Sequence, residues 1–435
     1  MKHDPLTEGP PEAAGTAKLR AWWSHRQWLD RPHTGAGVAE VLAATGWARS
    51  VGGAAPYLGL FARAGLGRAA VDAAVARLEV HELPSARGCT YVLPAADFAL
   101  GLAAGAAAPA GELAAAEKHL GIGRDEVEKL CLAVERVLSE HRPLAPAAIR
   151  EAVGDAVRPL GEAGRRRGLT STLPLALGLM QSRGRIRRVP VNGRLDQQRY
   201  GYVGWDQPVA GDAVDLAHRY FSWAGPATLR HFRWFSGFTA ATARRAVAEA
   251  GLVPLGPGSE LLLPPGLAEE FAGFEVPDEP HYTLLAGIDG IHLLHRDLPR
   301  LLDPADAARP LPAGRAGRVF GTEADPQTHV VLDRGRIVGL WEYDTERSEL
   351  VLLPFVPLDD ALREAAARTE AFVRDDLGDA RGFSLDSPKS RAPKIAALRE
   401  AAARAPGARG PAARVQDPGA GVRNPTAGVR GAAAG

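Results

Sequence analysis

Cysteine is the first scarcity: only Cys89 and Cys131 occur in 435 residues. Two thiols cannot build a disulfide framework, and theirs is not the spacing of a zinc site, which fits a reducing compartment. Net charge is equally sparse, since 52 Lys and Arg face 51 Asp and Glu. No overall cationic field advertises nucleic acid, so any basic surface has to be local. Long apolar runs are missing too. The opening MKHDPLTEGPPEAAG has no apolar core of a secretory signal, and the Ala-rich segment 99–116 is interrupted by Gly and Pro. Neither a leader nor a membrane span is expected, and the protein is placed in the cytoplasm. GxSxG, HExxH, CxxC, GxGxxG and GxxxxGK[ST] are all absent, which removes the usual support for hydrolase, zincin, redox, dinucleotide and P-loop chemistry. No metal or cofactor is expected.

What is present is a globular composition, 46% hydrophobic and 24% charged, at a length suited to two to four modules. LRAWWSHRQWLD (19–30) has helical spacing, with Leu19, Trp22, Trp23, Arg26 and Leu29 able to share a face. PYLGLFARAG and GRAAVDAAVARL then read as helices, EVHELPS and CTYVLP as strands around ARG. Helix, turn, helix, hairpin is the order of a winged helix. It returns in RPLAPAAIREAVG and GLTSTLPLALGLMQSRG, with strands GRIRRVPV and QQRYGYVGW around NGRLD. It returns again in LAHRYFSWAG, PATLRHFRWFSG and TAATARRAVAEAG, with a short wing, GLVPLG and ELLLPP.

The expected class is therefore α+β: tandem winged helices over 17–110, 111–207 and 208–275, the first carrying the helical arm. A small β-barrel-like domain with a packing helix follows over 276–400, where HYTLLAGIDGIHLLHRD, HVVLDRGRIVGLWEYD and SELVLLPFVP are strand-rich. Residues 405–435, made of Gly, Pro, Ala and Arg, are too poor in large apolar residues to order and are expected to be disordered.

Basic residues concentrate in the second repeat. Arg165, Arg166 and Arg167 precede a helix that Thr170 and Ser171 help to start; Arg183, Arg185, Arg187, Arg188, Arg194 and Arg199 lie at its end and in its wing. In a winged helix this is where phosphate contacts fall, with the recognition helix in the major groove and the wing along the backbone. A merely solvated basic face is the alternative. Lys389, Arg391 and Lys394, in FSLDSPKSRAPKIAALRE, offer charge beside serine hydroxyls and form a second candidate for the phosphate backbone. The aromatics Tyr220, Phe221, Trp223, Phe232, Trp234 and Phe235 could stack on bases, but their helical spacing around Gly225 and Pro226 favours a core, with Pro226 in the first turn of a helix. Asp97, just before FALGL, is placed as an N-cap, and Asp289 and Asp333 as turn residues.

RGCTYVLPAAD (87–97), YFSWAGPATLRHFRWFSG (220–237) and DRGRIVGLWEYD (333–344), in this order and spacing, resemble the AlkZ/YcaQ-like DNA glycosylases over most of residues 19–378. The resemblance implies tandem winged helices closing on a β-barrel-like domain around a channel for duplex DNA. It implies hydrolysis of the N-glycosidic bond of alkylated or crosslinked bases, without a metal, by a Gln-x-Gln or Gln-x-Asp pair that positions water. In register with PYLGLFARAG, that pair falls on Arg49 and Val51, and the family's threonine and histidine on Cys89 and Tyr91. Arg is a permanent cation with no acceptor, and Val has no polar atom. A cation there repels a cationic alkylpurine and attracts phosphate.

The primary expectation is thus a monomeric protein that binds duplex DNA and recognises altered DNA on a glycosylase architecture. The alternative is an active glycosylase whose water-positioning group is rebuilt from Arg49, Ser50, Tyr91 and Gln27. A winged-helix transcriptional regulator comes third, because it gives no reason for the C-terminal β domain.

Overall fold

The computed structural model describes residues 11–140, 142–312 and 317–404, so the expectation for 405–435 lies outside the described residues. Helix α1 (Pro11–Arg26) leads. A first unit follows with α2 (Val38–Thr45), β1 (Ala48–Arg49), α3 (Ala55–Ala64), α4 (Arg68–Ala76), β2 (Val80–Pro84) and β3 (Thr90–Pro94). Next come α5 (Phe98–Gly105) and α6 (Ala108–Leu120), then a second unit of α7 (Arg124–Val137), α8 (Pro146–Val153), α9 (Gly161–Arg165), α10 (Leu173–Ser182), β4 (Ile186–Pro190) and β5 (Tyr200–Gly204). The third unit is α11 (Ala213–Ala224), α12 (Leu229–Ser236), α13 (Ala240–Glu249), β6 (Val253–Pro254) and β7 (Leu262–Leu263). Helices followed by a hairpin recur three times, as the periodicity predicts. Gly65, left-handed at φ 67, closes α3.

α14 (Pro265–Gly273) leads into β8 (Tyr282–Leu285), the short α15 (Gly290–Leu293) and α16 (Pro304–Ala307), then β9 (His329–Asp333), β10 (Arg336–Asp344), β11 (Glu349–Pro354), α17 (Asp360–Phe372) and α18 (Pro388–Arg404). The four strands form an open antiparallel sheet in the order β11-β10-β9-β8, so the expected β-barrel-like closure is not found. Its two faces explain why. Leu284, Val331 and Trp341 share a core with α3 and α17, whereas Leu285, Val330 and Leu340 share another with α1 and with Ile395 and Leu398 of α18. A sheet covered on both faces by helices has no interior to enclose, and its central strands read as nearly unbroken apolar runs.

The first unit, the third unit and this sheet interlock through shared cores, while Leu113, Val134, Ile149, Leu177 and Ile186 give the second unit one of its own. The loop between β4 and β5 ties that unit back: Leu195 is buried in the first unit's core, and its N–H donates to the Tyr57 hydroxyl at 2.9 Å. The tryptophan pair fixes the arm, with Trp22 Nε1 donating to Gly225 O at 2.9 Å and Trp23 Nε1 to Pro226 O at 3.0 Å. Pro226 therefore lies ahead of α12, whose N-cap is Thr228, and not in its first turn. Tyr220, Phe221, Trp223, Phe232 and Phe235 are buried core residues; Trp234 is half-buried between the guanidinium groups of Arg87 and Arg296. Ala95–Leu120 has the length and mean hydropathy of a membrane span, but it is broken into α5, α6 and a leading 3-10 turn, and Phe98 and Leu102 pack in the third unit's core.

Candidate nucleic-acid interface

The short β1 pairs antiparallel with β3, setting Ala48 opposite Val92 and Arg49 opposite Tyr91; β2 continues the rows with Glu82 and Leu83. The pleat sends alternate side chains to opposite faces. Arg49 therefore lies beside Tyr91, its guanidinium 5.4 Å from the ring centre, with Nη1 donating to Thr90 O at 2.7 Å. Tyr91 is buried against Trp47 and Phe235, and burial pushes its phenol up to about 12. It remains a neutral hydroxyl across the physiological range.

Ser50 turns to the other face. It is buried, and its hydroxyl donates to Glu82 Oε1. Glu82 is the residue that sequence reasoning missed, although a carboxylate within the apolar strand VHELP was a signal. Burial raises its pKa, while the bonds from Ser50 and Tyr200 and the charge of Arg188 oppose the rise. Among the described residues, its Oε2 accepts no hydrogen bond of ordinary geometry, and the Tyr200 hydroxyl is the polar group nearby.

Gln27 is buried in a different network. Its Nε2 donates to Thr45 O at 2.7 Å, and its Oε1 accepts from Arg63 Nη2 at 3.2 Å. Arg63 in turn holds Asp289 with two bonds, at 2.8 and 2.7 Å. Gln27 and Arg49 both line a cavity of about 20 Å³, room for about one water and not for a nucleobase. The structure thus brings Arg49 and Tyr91 to one side of β1 and Ser50 to the other, while Gln27 meets Arg49 only across the small cavity.

The loop after β1 is tightly clasped. Val51 O accepts from Ser384 N at 3.0 Å, and Ala54 N donates to Arg381 O at 2.9 Å. A Cβ on Gly53 would fall 2.3 Å from Gly382 O, and one on Gly52 would fall 2.5 Å from the Gln198 side chain. Gly53→Ala is therefore expected to push the two loops apart at a cost of about 1–3 kcal/mol. Thermal melting combined with limited proteolysis at 381–387 reads this, and an unchanged melting temperature counts against the clasp.

Many cations of the second unit are already engaged. Arg165 and Arg166 pair with Glu162, Arg183 with Glu128, Arg185 with Glu135 and Arg194 with Asp196. Arg187 is half-buried, and burial lowers its pKa; Arg188 lies 5.1 Å from the Tyr200 ring centre. Arg167 and Arg199 are exposed and have no ion pair among the described residues. Helix α10 is buried along almost its whole length, and Ser171 at its start is buried as well, whereas Thr170 is exposed. Thr170, Ser171 and Arg188 meet in a cleft of about 530 Å³ between the first two units, with Thr90, Arg150 and Gln181.

At the C-terminal end, Lys389 is exposed. Arg391 is only 2% exposed and makes two bonds to Asp379. Lys394 pairs with Glu342 at 3.1 Å and donates to Gln327 O. Asp97 accepts from Trp47 Nε1 at 2.9 Å and from Arg219, and makes no side-chain cap for α5. Asp289 does cap α15 through Ile291 N at 3.0 Å. Among the described residues, no three His, Cys, Asp or Glu side chains cluster as a metal site requires.

A family profile described as "DNA glycosylase AlkZ-like" matches residues 41–374, and the chain belongs to this family. Among solved structures, the Streptomyces sahachiroi DNA glycosylase AlkZ superposes with a TM-score of 0.64 at 21% sequence identity, covering 84% of this chain and 98% of that one. At that identity the likeness is one of fold. No curated protein matches the chain.

Proposed function

We propose that this protein binds duplex DNA on a DNA-glycosylase scaffold and recognises alkylated or crosslinked DNA, without the family's usual water-positioning pair. The observation that carries the reading is the state of β1: Arg49 is committed to Thr90 O and the Tyr91 ring, beside a cavity that holds about one water. A cation so placed serves a phosphate better than it orients a nucleophilic water. Arg167 and Arg199 then supply the first phosphate contacts, because the arginines paired to glutamates must break an ion pair before they can add any.

The test is fluorescence anisotropy with duplex DNA over a range of salt. Arg167→Ala and Arg199→Ala are each expected to weaken binding and to flatten the slope of log affinity against log salt by about 0.9 per lost phosphate contact. Arg183→Ala should change it far less. Absence of binding to any duplex at low salt defeats the proposal.

Glu82 favours a second reading, in which the protein is a glycosylase with a rearranged site. A buried carboxylate of raised proton affinity, bonded to Ser50 and close to the Tyr200 hydroxyl, is suited to take a proton from water as an N-glycosidic bond breaks. Its neighbour Arg188 lines the cleft of about 530 Å³, a volume within the range of small-ligand sites. Incubation with alkylated and crosslinked duplexes followed by alkali separates the two readings. Abasic sites that vanish in Glu82→Gln establish the second; their absence on every substrate leaves the first.

A further inference from the structure

Residues 381–387, in the turn between α17 and α18, lie beyond the family match that ends at residue 374. Leu385 is 84% exposed and Phe383 49%, and Leu385 is the most exposed of the large hydrophobic side chains described. Such exposure would be unremarkable on a loose tail, but this turn is held from several sides. Asp386 accepts from Gly382 N at 3.0 Å and Phe383 N at 3.3 Å, and Asp386 N donates to Phe383 O at 3.0 Å. Ser384 N bonds Val51 O, Arg381 donates to Asp196 O, and buried Arg391 anchors the following helix to Asp379. The turn presents two apolar side chains in a fixed conformation, so little ordering entropy remains to be lost on contact.

Its surroundings indicate what it contacts. Gly52 lies against both Ser384 and Gln198 and so joins the turn to the β4–β5 loop, where exposed Arg199 follows Gln198; Lys389 is exposed in the first turn of α18, and Phe383 also borders a pocket lined by Asp325, Glu342, Asp386 and Lys394. Two apolar side chains with exposed cations in the adjoining segments are far too small for a protein interface, which takes roughly 800 Å² per partner. They suit a duplex, in which phosphates meet the cations and an apolar wedge enters between base pairs.

We propose that the 381–387 turn is a DNA wedge, with Phe383 and Leu385 unstacking a base step next to the loop after β1. The proposal rests on the duplex-binding reading above. It places the distortion at Val51–Ala54, just after β1, and a duplex already weakened by damage would admit the wedge most easily.

The experiment uses the full chain and a series of short duplexes, each carrying one 2-aminopurine at a different step, whose fluorescence rises on unstacking. The wild-type protein is expected to raise fluorescence at one or two neighbouring steps. The double variant Phe383→Ala/Leu385→Ala should abolish that rise and weaken binding by about ten-fold or more, with the salt slope unchanged because no phosphate contact is lost. Both residues are exposed, so an unchanged melting temperature verifies folding. Wild-type binding with no rise at any step, or equal binding by the double variant, overturns the wedge and leaves duplex binding standing. If the wild-type protein binds no duplex, both proposals fall together.

Discussion

Arg63→Leu is expected to lower the unfolding free energy by about 3–5 kcal/mol, the range for breaking a buried ion pair from one side. Arg63 and Asp289 are both almost fully buried and joined by two hydrogen bonds of 2.8 and 2.7 Å. Removing the guanidinium strands the Asp289 carboxylate in a buried site with room for about one water, where its bond from Ile291 N cannot offset the lost charge. It also frees the Gln27 carbonyl oxygen, whose amide still ties α1 to Thr45 O at the end of α2. The double variant Arg63→Leu/Asp289→Leu should recover much of the loss, since two apolar side chains replace a pair that had to be desolvated. Urea denaturation followed by tryptophan fluorescence reads the effect in the right place, because Trp22, Trp23, Trp223 and Trp341 lie in the interlocked cores and the second unit's own core contains no tryptophan. A loss below about 1 kcal/mol in the single variant, the size of an ordinary surface change, would show that water reaches the pair. Gln27 belongs to this framework, and Gln27→Ala should shift stability before it shifts any activity.

Local order was legible in part. The strand runs of the hairpins were visible within a few residues, but Asp97, read as a cap, makes none, and the caps Thr228 and Thr239 went unread. The aromatic core of the third unit was equally visible as helical spacing. Long-range pairing was not. Arg183 and Arg185 find Glu128 and Glu135 on α7, and Asp97 finds Trp47 and Arg219, because packing of distant helices sets those distances. A dense run of arginine was therefore read as free charge when much of it is internally neutralised. The same blindness affected the sheet. Apolar strands reveal that two faces are buried, not whether helices or the sheet itself bury them. Arg391 shows the limit most plainly, since nothing in SPKSRAPK distinguishes the buried arginine from its exposed neighbour Lys389.

Acidification from pH 6.5 to 5 is expected to cost about 3 kcal/mol of stability, shared between His81 and His295. His81 is buried against the rings of Phe98 and Trp205, and among the described residues neither of its nitrogens has a partner; burial first, then the nearby charges of Arg187 and Arg188, pushes it down to about 3. His295 bonds Ala224 O through Nε2 at 2.8 Å and lies against Trp23 and His231; burial and the neighbouring histidine push it down to about 3 as well. Each is neutral in the folded chain but has its ordinary value near 6.5 when unfolded. Their contribution is therefore intact above pH 6.5. Below it the unfolded state takes up protons that the folded state refuses, so stability falls by about 1.4 kcal/mol per pH unit for each histidine until the pH nears 3. Buried His329 is lowered too and acts in the same direction. Carboxylates held low by hydrogen bonds, such as Asp325 with His292 first and then Arg296, add their loss only below about pH 4, whereas Glu82, raised by burial, binds its proton more readily in the folded chain and acts in the opposite direction to the histidines. His81→Phe separates them. A phenyl ring fits among Phe98 and Trp205 without burying unpaired nitrogens, so the variant should keep wild-type stability or exceed it at pH 7. Its stability slope between pH 6.5 and 5 should be shallower by about 1.4 kcal/mol per unit. Urea denaturation at a series of pH values measures both quantities, and parallel slopes for wild type and variant would mean that His81 reaches solvent and titrates normally in the folded chain.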